Sequence, residues 1–302
     1  MKKIVFWSIV AAAVIAIYFF LRAVFSGSLI LDPYIVSVGF LRIKWYGVII
    51  GSSVIVAYLL ARHQLLTEGV KEDEFLLAMV FVIPFAVLGG RLYYVAFTWN
   101  TFFSRHLNLI FDTRTGGMAI HGALFAIFLA AWLFIIMVRR IKGRCSFGYL
   151  QAMDAFTMVA PFAQAMGRWG NFFNYEAHGG PTTLPWKMYV PPQYRMPQYA
   201  NFKYFYPTFL FESIADLFVF YILYTYTKKR RMKYGQTFSL YLILYSVFRF
   251  FNEAFRTDSL WFYNLRIAQV VSVILIVIGA VLFAYVSKKG KNVETKEEVV
   301  ES

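Results

Sequence analysis

The sequence predicts an all-α, polytopic integral membrane protein with about eight transmembrane helices and a small irregular head on the outer face. Of its 302 residues, 60% are hydrophobic, 20% are aromatic and 15% are charged. Soluble domains are about 45–50% apolar and about 25% charged. Apolar runs long enough to cross a bilayer recur along the chain, and the basic residues between them concentrate in alternate short loops. The mean hydropathy of +0.57 agrees with repeated membrane spans.

The first apolar run extends from Ile4 to about Phe25 and follows Lys2 and Lys3. A secretory signal peptide would end in a small-residue cleavage site, and no good one follows this run. We therefore predict that residues 1–30 form a retained transmembrane anchor. Seven further spans are predicted within a membrane domain of residues 31–287, at about 46–61, 75–98, 118–137, 149–168, 208–226, 236–252 and 264–286. Spanning helices need about 20 residues.

Basic residues set the expected orientation, because cytoplasmic loops carry an excess of lysine and arginine. They cluster at Lys2 and Lys3; at Arg139, Arg140, Lys142 and Arg144; at Lys228, Lys229, Arg230, Arg231 and Lys233; and at Lys288, Lys289 and Lys291. With eight spans, this alternation places both termini in the cytoplasm. The loop after residue 61 is a weaker marker, because its basic residues are offset by acidic ones. Residues 288–302 should form a charged cytoplasmic tail that is disordered beyond Lys291.

Composition also excludes several classes of partner and cofactor. The net charge of +14 would suggest nucleic-acid binding in a soluble protein. Here the charge lies in short loops between apolar runs, so we expect no nucleic acid. Cys145 is the only cysteine, which rules out an intrachain disulfide. Four scattered histidines without a cysteine pair make a zinc site unexpected, so no metal or cofactor is predicted.

Two long segments are predicted on the outer side of the membrane. These are an arm at about 99–117 and a head at about 170–207, and both are rich in the aromatic residues that favour the membrane interface. The head contains six prolines, which is too many for a regular helix.

Five polar side chains interrupt apolar segments, and an ionisable residue within a span usually marks a function or a buried partner. They are Tyr46, Arg91, His121, Arg168 and Arg249. On the topology assigned from loop charges alone, all five fall on the outer side. This convergence predicts one site there.

The spacing around two of the arginines adds detail. Arg249, Glu253 and Arg256 are spaced i, i+4 and i+7, which is one helical face if the seventh helix continues that far. Arg168 and Asn171 are spaced i and i+3. Such clusters suit a phosphodiester, because arginine offers a planar fork of donors to phosphate oxygens.

Structural roles remain open for the same residues. Arg249 and Glu253 could form an ion pair without further function, and Arg91 could extend outward to the interface. His121 could be a satisfied structural histidine, and interfacial tyrosines such as Tyr46 are common. Two more polar residues in the fifth span, Asp154 and Gln164, are expected to form hydrogen bonds between helices.

The segment Gly167–Glu176, GRWGNFFNYE, resembles the GRxGNFxNxE signature of prolipoprotein diacylglyceryl transferases. The resemblance extends from about Leu31 to Val286. Other family-like segments are KWYG at 44–47, GGRL at 89–92, GGMAIHGA at 116–123, YPTFLFE at 206–212 and RFFNEAFR at 249–256. The main departures are Lys44, Ala123 and Tyr206, where the family has histidine, glycine and histidine.

This resemblance implies a seven-helix membrane core, to which the first helix would be an addition. It implies transfer of the diacylglyceryl group of phosphatidylglycerol to the lipobox cysteine of a prolipoprotein signal peptide, with release of glycerol phosphate. Arg168 and Arg249 would hold the phosphate, and His121 or Tyr46 would take the thiol proton. The implied lipid-binding residues are Arg91, Arg168, Asn171, Glu176, Gly179, Arg249 and Glu253.

Two other functions are compatible with the sequence. The departures leave room for a related transferase that lipidates an alcohol or amine. A lipid transporter without enzymatic activity is the second alternative, although transporters are expected to show repeats and broken helices near the membrane midplane. We find neither in the sequence, and the polar residues lie on one predicted side. The expected location is the bacterial cytoplasmic membrane, with the site facing the outer leaflet.

Overall fold

The computed structural model describes residues 2–39, 41–112, 116–256, 261–263 and 265–294. Within these ranges the fold is mainly helical, which confirms the predicted fold class. Eight long helices occur: α1 Lys2–Ser26, α2 Trp45–Thr67, α3 Glu72–Phe97, α4 Ile120–Lys142, α5 Tyr149–Phe173, α6 Thr208–Lys229, α7 Gln236–Asn252 and α8 Ile267–Lys289.

Six of these helices are long and apolar enough to cross a membrane, which supports a multi-pass protein. They are α1, α2, α3, α4, α6 and α8. Helix α7 has only 17 residues. Helix α5 has 25 residues but carries several polar side chains, among them Asp154, Gln164 and Arg168. The count of eight spans therefore stays a prediction for α5 and α7.

Short strands also occur, which the all-α prediction omitted. Three antiparallel pairs are formed by β1 Tyr34–Val38 with β2 Leu41–Lys44, by β3 Met188–Tyr189 with β4 Tyr204–Phe205, and by β5 Trp261–Phe262 with β6 Leu265–Arg266. Two 3₁₀ turns in the head, Pro192–Tyr194 and Pro197–Tyr199, begin at proline, where the missing N–H costs no hydrogen bond. The head is thus irregular, as predicted.

The chain divides into two compact units. The first contains residues 1–58, 157–230 and 237–285, and the second contains residues 59–156, 231–236 and 286–302. Each is described by itself.

In the first unit, helix α1 is joined to the head through its last turns. Val24 is 1% exposed, whereas Val5 is 56% exposed. The neighbouring Phe25 ring lies 6.3 Å from the ring centroids of both Phe172 and Phe209. Apolar side chains of α1, α5, α6 and the head form one core there: Val24, Phe172, Tyr175, Met188, Val190, Phe205 and Phe209. This core fixes the end of α5, where the GRWGNFFNYE segment lies.

In the second unit, α3 and α4 pack with their backbones in contact. A Cβ atom on Gly89 would lie 2.3 Å from the Cβ of Ala126 and 2.7 Å from the carbonyl oxygen of Gly122. Glycine is therefore required at this crossing. The contact fixes the helix ends that carry Arg91 and His121.

The second unit also contains a cluster of buried charged side chains. Arg231 pairs with Glu68 and with Asp154, whose Oδ2 lies 3.2 Å from Nη1, and all three side chains are at most 3% exposed. The Gly235 amide donates to the same Asp154 oxygen at 2.8 Å. These contacts join Asp154 to the loop between α6 and α7, and its expected hydrogen bond to a neighbouring helix stays a prediction.

Gln164, in the first unit, follows the prediction made for it. Its Nε2 donates to the hydroxyl of Tyr241 on α7 at 2.9 Å. This is a hydrogen bond between helices, as expected for an isolated amide within a span.

The start of the predicted tail is ordered along the loop before α7. The Tyr234 amide donates to the Lys291 carbonyl, and the Val293 amide donates to the Met232 carbonyl, both at 3.0 Å. Residues 295–302 lie outside the described residues, so the expected disorder stays a prediction for them.

Candidate active site

The centre of the candidate site is the carboxylate of Glu212, which three arginines approach. It lies in the first unit, in the first turns of α6, and its side chain is only 5% exposed. Nε of Arg168 lies 2.6 Å from Oε2. Nη1 of Arg249 and Nη1 of Arg256 lie 3.4 and 3.2 Å from Oε1. One buried carboxylate therefore holds three guanidinium groups in a fixed arrangement.

Arg249 has a second carboxylate partner. Its Nη2 lies 2.7 Å from Oε2 of Glu253, whose side chain is 2% exposed. The backbone carbonyl of Glu253 also accepts a hydrogen bond from Arg266. The predicted ion pair between Arg249 and Glu253 is therefore present, and it belongs to a larger network.

Arg249, Glu253 and Arg256 do not lie on one helical face, because the seventh helix does not continue far enough to meet that condition. Helix α7 ends at Asn252, a 3₁₀ turn spans Glu253–Phe255, and Arg256 is extended with φ −82° and ψ 143°. The side chains nevertheless converge, because the chain turns and Arg256 pairs with a segment of the head.

Gly179 is the head residue that pairs with Arg256. An isolated antiparallel bridge joins the two residues. A Cβ on Gly179 would lie 2.8 Å from the Phe255 carbonyl oxygen and 2.7 Å from the Cβ of Tyr206. Gly179 therefore lets the chain that carries Arg256 approach the head closely. Gly179 therefore has a structural role in positioning Arg256. Its expected contact with lipid stays a prediction.

Glu176 is held by two amides of the same segment. Nδ2 of Asn171 and Nδ2 of Asn174 each donate to its Oε1 at 3.1 Å. The flanking residues Tyr175 and Ala177 have φ of +54° and +53°, values that are costly for residues other than glycine. Strain of this kind persists where the surrounding structure fixes the chain, often at functional sites.

Contacts of the Tyr175 side chain help to hold this strained backbone in place. Its hydroxyl accepts a hydrogen bond from the Leu31 amide at 2.6 Å, and its ring stacks on Tyr194 at 4.9 Å. Burial raises the pKa of the Tyr175 phenol above its usual value, so the side chain remains neutral.

Tyr46 lies in the first turn of α2 and packs on the signature segment. A Cβ on Gly170 would lie 2.4 Å from its Cδ2, so the ring rests directly on the glycine. Arg168 and Glu176 are its charged neighbours. The structure therefore brings Tyr46 together with Arg168, Asn171 and Glu176 in the first unit.

Arg91 has a different environment from the one expected of a lipid-binding residue. It lies in the second unit and is 4% exposed. Its guanidinium donates to backbone carbonyls of the arm: Nε to Ile110 at 2.6 Å, Nη2 to Leu109 at 2.6 Å, and Nη1 to Gly116 and Gly117 at 3.0 and 2.9 Å. Four of its five N–H groups are thus used to hold the arm, so the alternative that Arg91 extends outward does not apply, and its expected contact with lipid stays a prediction.

His121 also lies in the second unit, in the first turn of α4. The side chain is exposed, and its ring centroid lies 6.3 Å from that of Tyr93. Within the described ranges, no hydrogen bond or ion pair to another residue occupies its ring nitrogens. Both nitrogens are thus open to a ligand or solvent.

The arrangement in the first unit is suited to binding an anion. Arg168 and Arg249 keep 23% of their side-chain surface exposed although both are anchored on carboxylates. Fixed donors of this kind can stabilise a charge that develops on a phosphate without reorganising. For a metal, the described residues offer no group of three histidine, cysteine or carboxylate side chains.

Sequence reasoning missed Glu212, the residue on which the site depends. It ends the YPTFLFE segment, but no spacing rule connects it to Arg168 or Arg249, which are far away in sequence. Its position in the first turns of a predicted span was the available signal, because a carboxylate there requires a partner.

The fold and this arginine site define a multi-pass membrane protein with an anion-binding site at helix ends. A family model described as prolipoprotein diacylglyceryl transferase matches residues 33–285. The chain is 48% identical over 292 residues to the phosphatidylglycerol–prolipoprotein diacylglyceryl transferase of Fervidobacterium nodosum, covering 96% of this chain and 98% of the relative. It is 42% identical to the protein of the same name from Thermotoga maritima, covering 92% and 94%. It is 39% identical to that of Clostridioides difficile, covering 83% and 93%.

The chain therefore belongs to the prolipoprotein diacylglyceryl transferase family. The resemblance of the GRWGNFFNYE segment is confirmed, and so is the expectation of a membrane-bound bacterial transferase.

Proposed function

We propose that the protein transfers the diacylglyceryl group of phosphatidylglycerol to the lipobox cysteine thiol of prolipoproteins. The sulfur forms a bond to the terminal glycerol carbon, the C–O bond to phosphate breaks, and glycerol phosphate leaves. The thiol proton passes to a base and finally to the phosphate or solvent. The observation that carries this proposal is the Glu212 carboxylate with its three arginines, of which Arg168 and Arg249 are the most exposed.

Arg168 and Arg249 are assigned to the lipid phosphate. Their guanidinium groups are anchored on one side by Glu212 and Glu253, so the remaining N–H groups are fixed in direction. Charge on the phosphate grows as the C–O bond breaks, and preorganised donors then bind the leaving group more tightly than the substrate. Asn171, Glu176, Gly179 and Glu253 are the other proposed lipid-binding residues of the first unit.

The thiol must lose its proton to attack, because the thiolate is the nucleophile. His121 has open ring nitrogens and is the first candidate base. Tyr46 is the second, since its ring packs on Gly170 of the signature segment. Both are kept in the proposal.

The function is tested with purified protein, phosphatidylglycerol and a synthetic lipobox peptide. We expect one thioether-linked diacylglyceryl group per peptide, detected by mass spectrometry, and release of glycerol phosphate. A peptide with serine in place of cysteine and small alcohol or amine acceptors serve as controls. Modification of those acceptors but not of the cysteine peptide would favour the related transferase with a different acceptor.

The proposed orientation places both termini and Cys145 in the cytoplasm and the arginine site toward the outer leaflet. The loop before Cys145 is strongly basic, as cytoplasmic loops are. We expect a membrane-impermeant maleimide to label Cys145 only after cells are permeabilised. Burial raises the pKa of the Cys145 thiol above its usual value. Maleimides react with the thiolate, so labelling should be slow at neutral pH and faster near pH 9.

A matched control uses the exposed head residue Gln198. In the double variant Cys145→Ser, Gln198→Cys, the reagent should label intact cells. Labelling of Cys145 from outside, or of Gln198→Cys only after permeabilisation, would reverse the proposed orientation.

A further inference from the structure

Asp216 is a buried carboxyl group beneath the arginine site that the proposed reaction does not use. It lies on α6 four residues after Glu212, on the same helical face, and is 4% exposed. Its Oδ2 is enclosed and has no hydrogen-bond partner. In the part of the chain that the structure describes, no ion pair reaches the side chain either.

The groups around Asp216 come from three helices. Its charged neighbours are Arg168 on α5, Glu212 on α6 and Arg249 on α7. Tyr241 and Tyr245 on α7 are close enough to interact electrostatically with it. The two arginines near it are those assigned to the lipid phosphate, although neither is close enough to form an ion pair with it.

A charge at this position would be unusual. An ionised carboxylate buried without a hydrogen-bond donor is costly, and within a membrane span the cost is several kcal/mol. The neutral form avoids that cost. When Asp216 is neutral, it does not reduce the positive electrostatic potential of Arg168 and Arg249. In the ionised form, it would offset part of that field and compete with a bound phosphate.

We propose that Asp216 determines the affinity of the site for the anionic headgroup of its lipid, an inference that rests on the proposed function. When Asp216 is neutral, the full positive charge of Arg168 and Arg249 acts on the lipid phosphodiester. When Asp216 is ionised, its negative charge offsets part of that attraction, and lipid binding weakens. Asp216 is then a specificity-determining residue that acts through the two arginines and does not touch the lipid.

The test measures binding of phosphatidylglycerol to the purified full-length protein between pH 6 and pH 9, without peptide. Omitting the peptide removes the substrate thiol and its deprotonation from the measurement. For the unchanged protein we expect binding to weaken about tenfold as the pH rises, because ionised Asp216 would add one negative charge near the arginines. Asp216→Asn is isosteric and always neutral, so its binding should stay tight and nearly independent of pH.

Two further variants separate this effect from loss of structure. Asp216→Glu can still ionise and should keep the pH dependence. Ser246→Ala removes another buried polar group without a partner in the described structure, but one that cannot ionise, and should also keep it. If Asp216→Asn does not fold, Asp216→Ser provides a second neutral side chain.

The same weakening at high pH in the neutral variant, or no weakening in the unchanged protein, would overturn the proposal. Its failure is distinct from failure of the proposed function. Transfer to the lipobox peptide at pH 7 tests the function, whereas the binding curves test Asp216 alone.

Discussion

Replacing Arg168 or Arg249 by lysine should lower turnover by about 10²–10³-fold, the loss seen when one preorganised donor is removed from a developing anion. Lysine keeps the positive charge but loses the planar fork of N–H groups. The arginines need that fork because each binds a buried carboxylate with one part of the guanidinium. A lysine ammonium on Glu212 would leave no fixed second donor for the phosphate. The measurement is kcat with phosphatidylglycerol and a lipobox peptide.

The matched control is Arg195→Lys in the head. Arg195 donates to the carbonyls of Val190 and Ala200 at 2.9 and 3.1 Å, so it shares the residue type without the site. Its replacement should change turnover by less than about threefold, because its contacts are with head residues outside the site: the Val190 and Ala200 carbonyls and the Tyr189 ring. Membrane insertion and thermal stability should remain close to those of the unchanged protein in all three variants. Near-normal turnover of both site variants would show that Arg168 and Arg249 have structural roles only.

Much of the helical framework follows from the sequence, because spanning segments are defined locally. An apolar run and its flanking charges locate the two ends of each helix to within a few residues. The predicted range 236–252, for example, agrees with α7, Gln236–Asn252. The short strand pairs were missed since they depend on chain reversals with only two to five residues per strand. Runs that short carry little periodicity.

The site was predicted in part. The sequence identified Arg168, Arg249 and Glu253, since charged residues near apolar runs stand out. It could not identify the carboxylate that organises them, because contacts between Glu212 and the arginines exist only after the helices pack. It also could not show how Arg256 reaches the site, because α7 ends at Asn252 and Arg256 is brought there by pairing with Gly179.

Arg91 is a second case in which the sequence could not identify the partner of a charged residue. A conspicuous arginine after two glycines suggested a lipid ligand, but its donors are taken up by carbonyls of the arm. Spacing in a sequence can indicate that an intramembrane arginine needs a partner. It cannot distinguish a phosphate from a backbone carbonyl, because both are acceptors of the same geometry.

Replacing His121 by glutamine should slow turnover by about 10²–10⁴-fold, the usual cost of removing a general base. Glutamine keeps a similar size and some hydrogen bonding but cannot carry a proton. A base must be neutral before it accepts the thiol proton, so the rate of the unchanged protein should fall at acidic pH.

The pH–rate profile decides between a base and an orienting group. If His121 is the base, the acidic fall in rate should flatten or move in His121→Gln, while phosphatidylglycerol binding is retained. His106→Gln is the matched control, because His106 stacks on Phe102 at 4.5 Å and contacts the Phe102 carbonyl within the arm; its profile should match that of the unchanged protein. An unaltered acidic fall in His121→Gln with only a modest loss of rate would assign the titration to the substrate thiol. His121 would then orient the peptide, and the arginines alone would favour the thiolate.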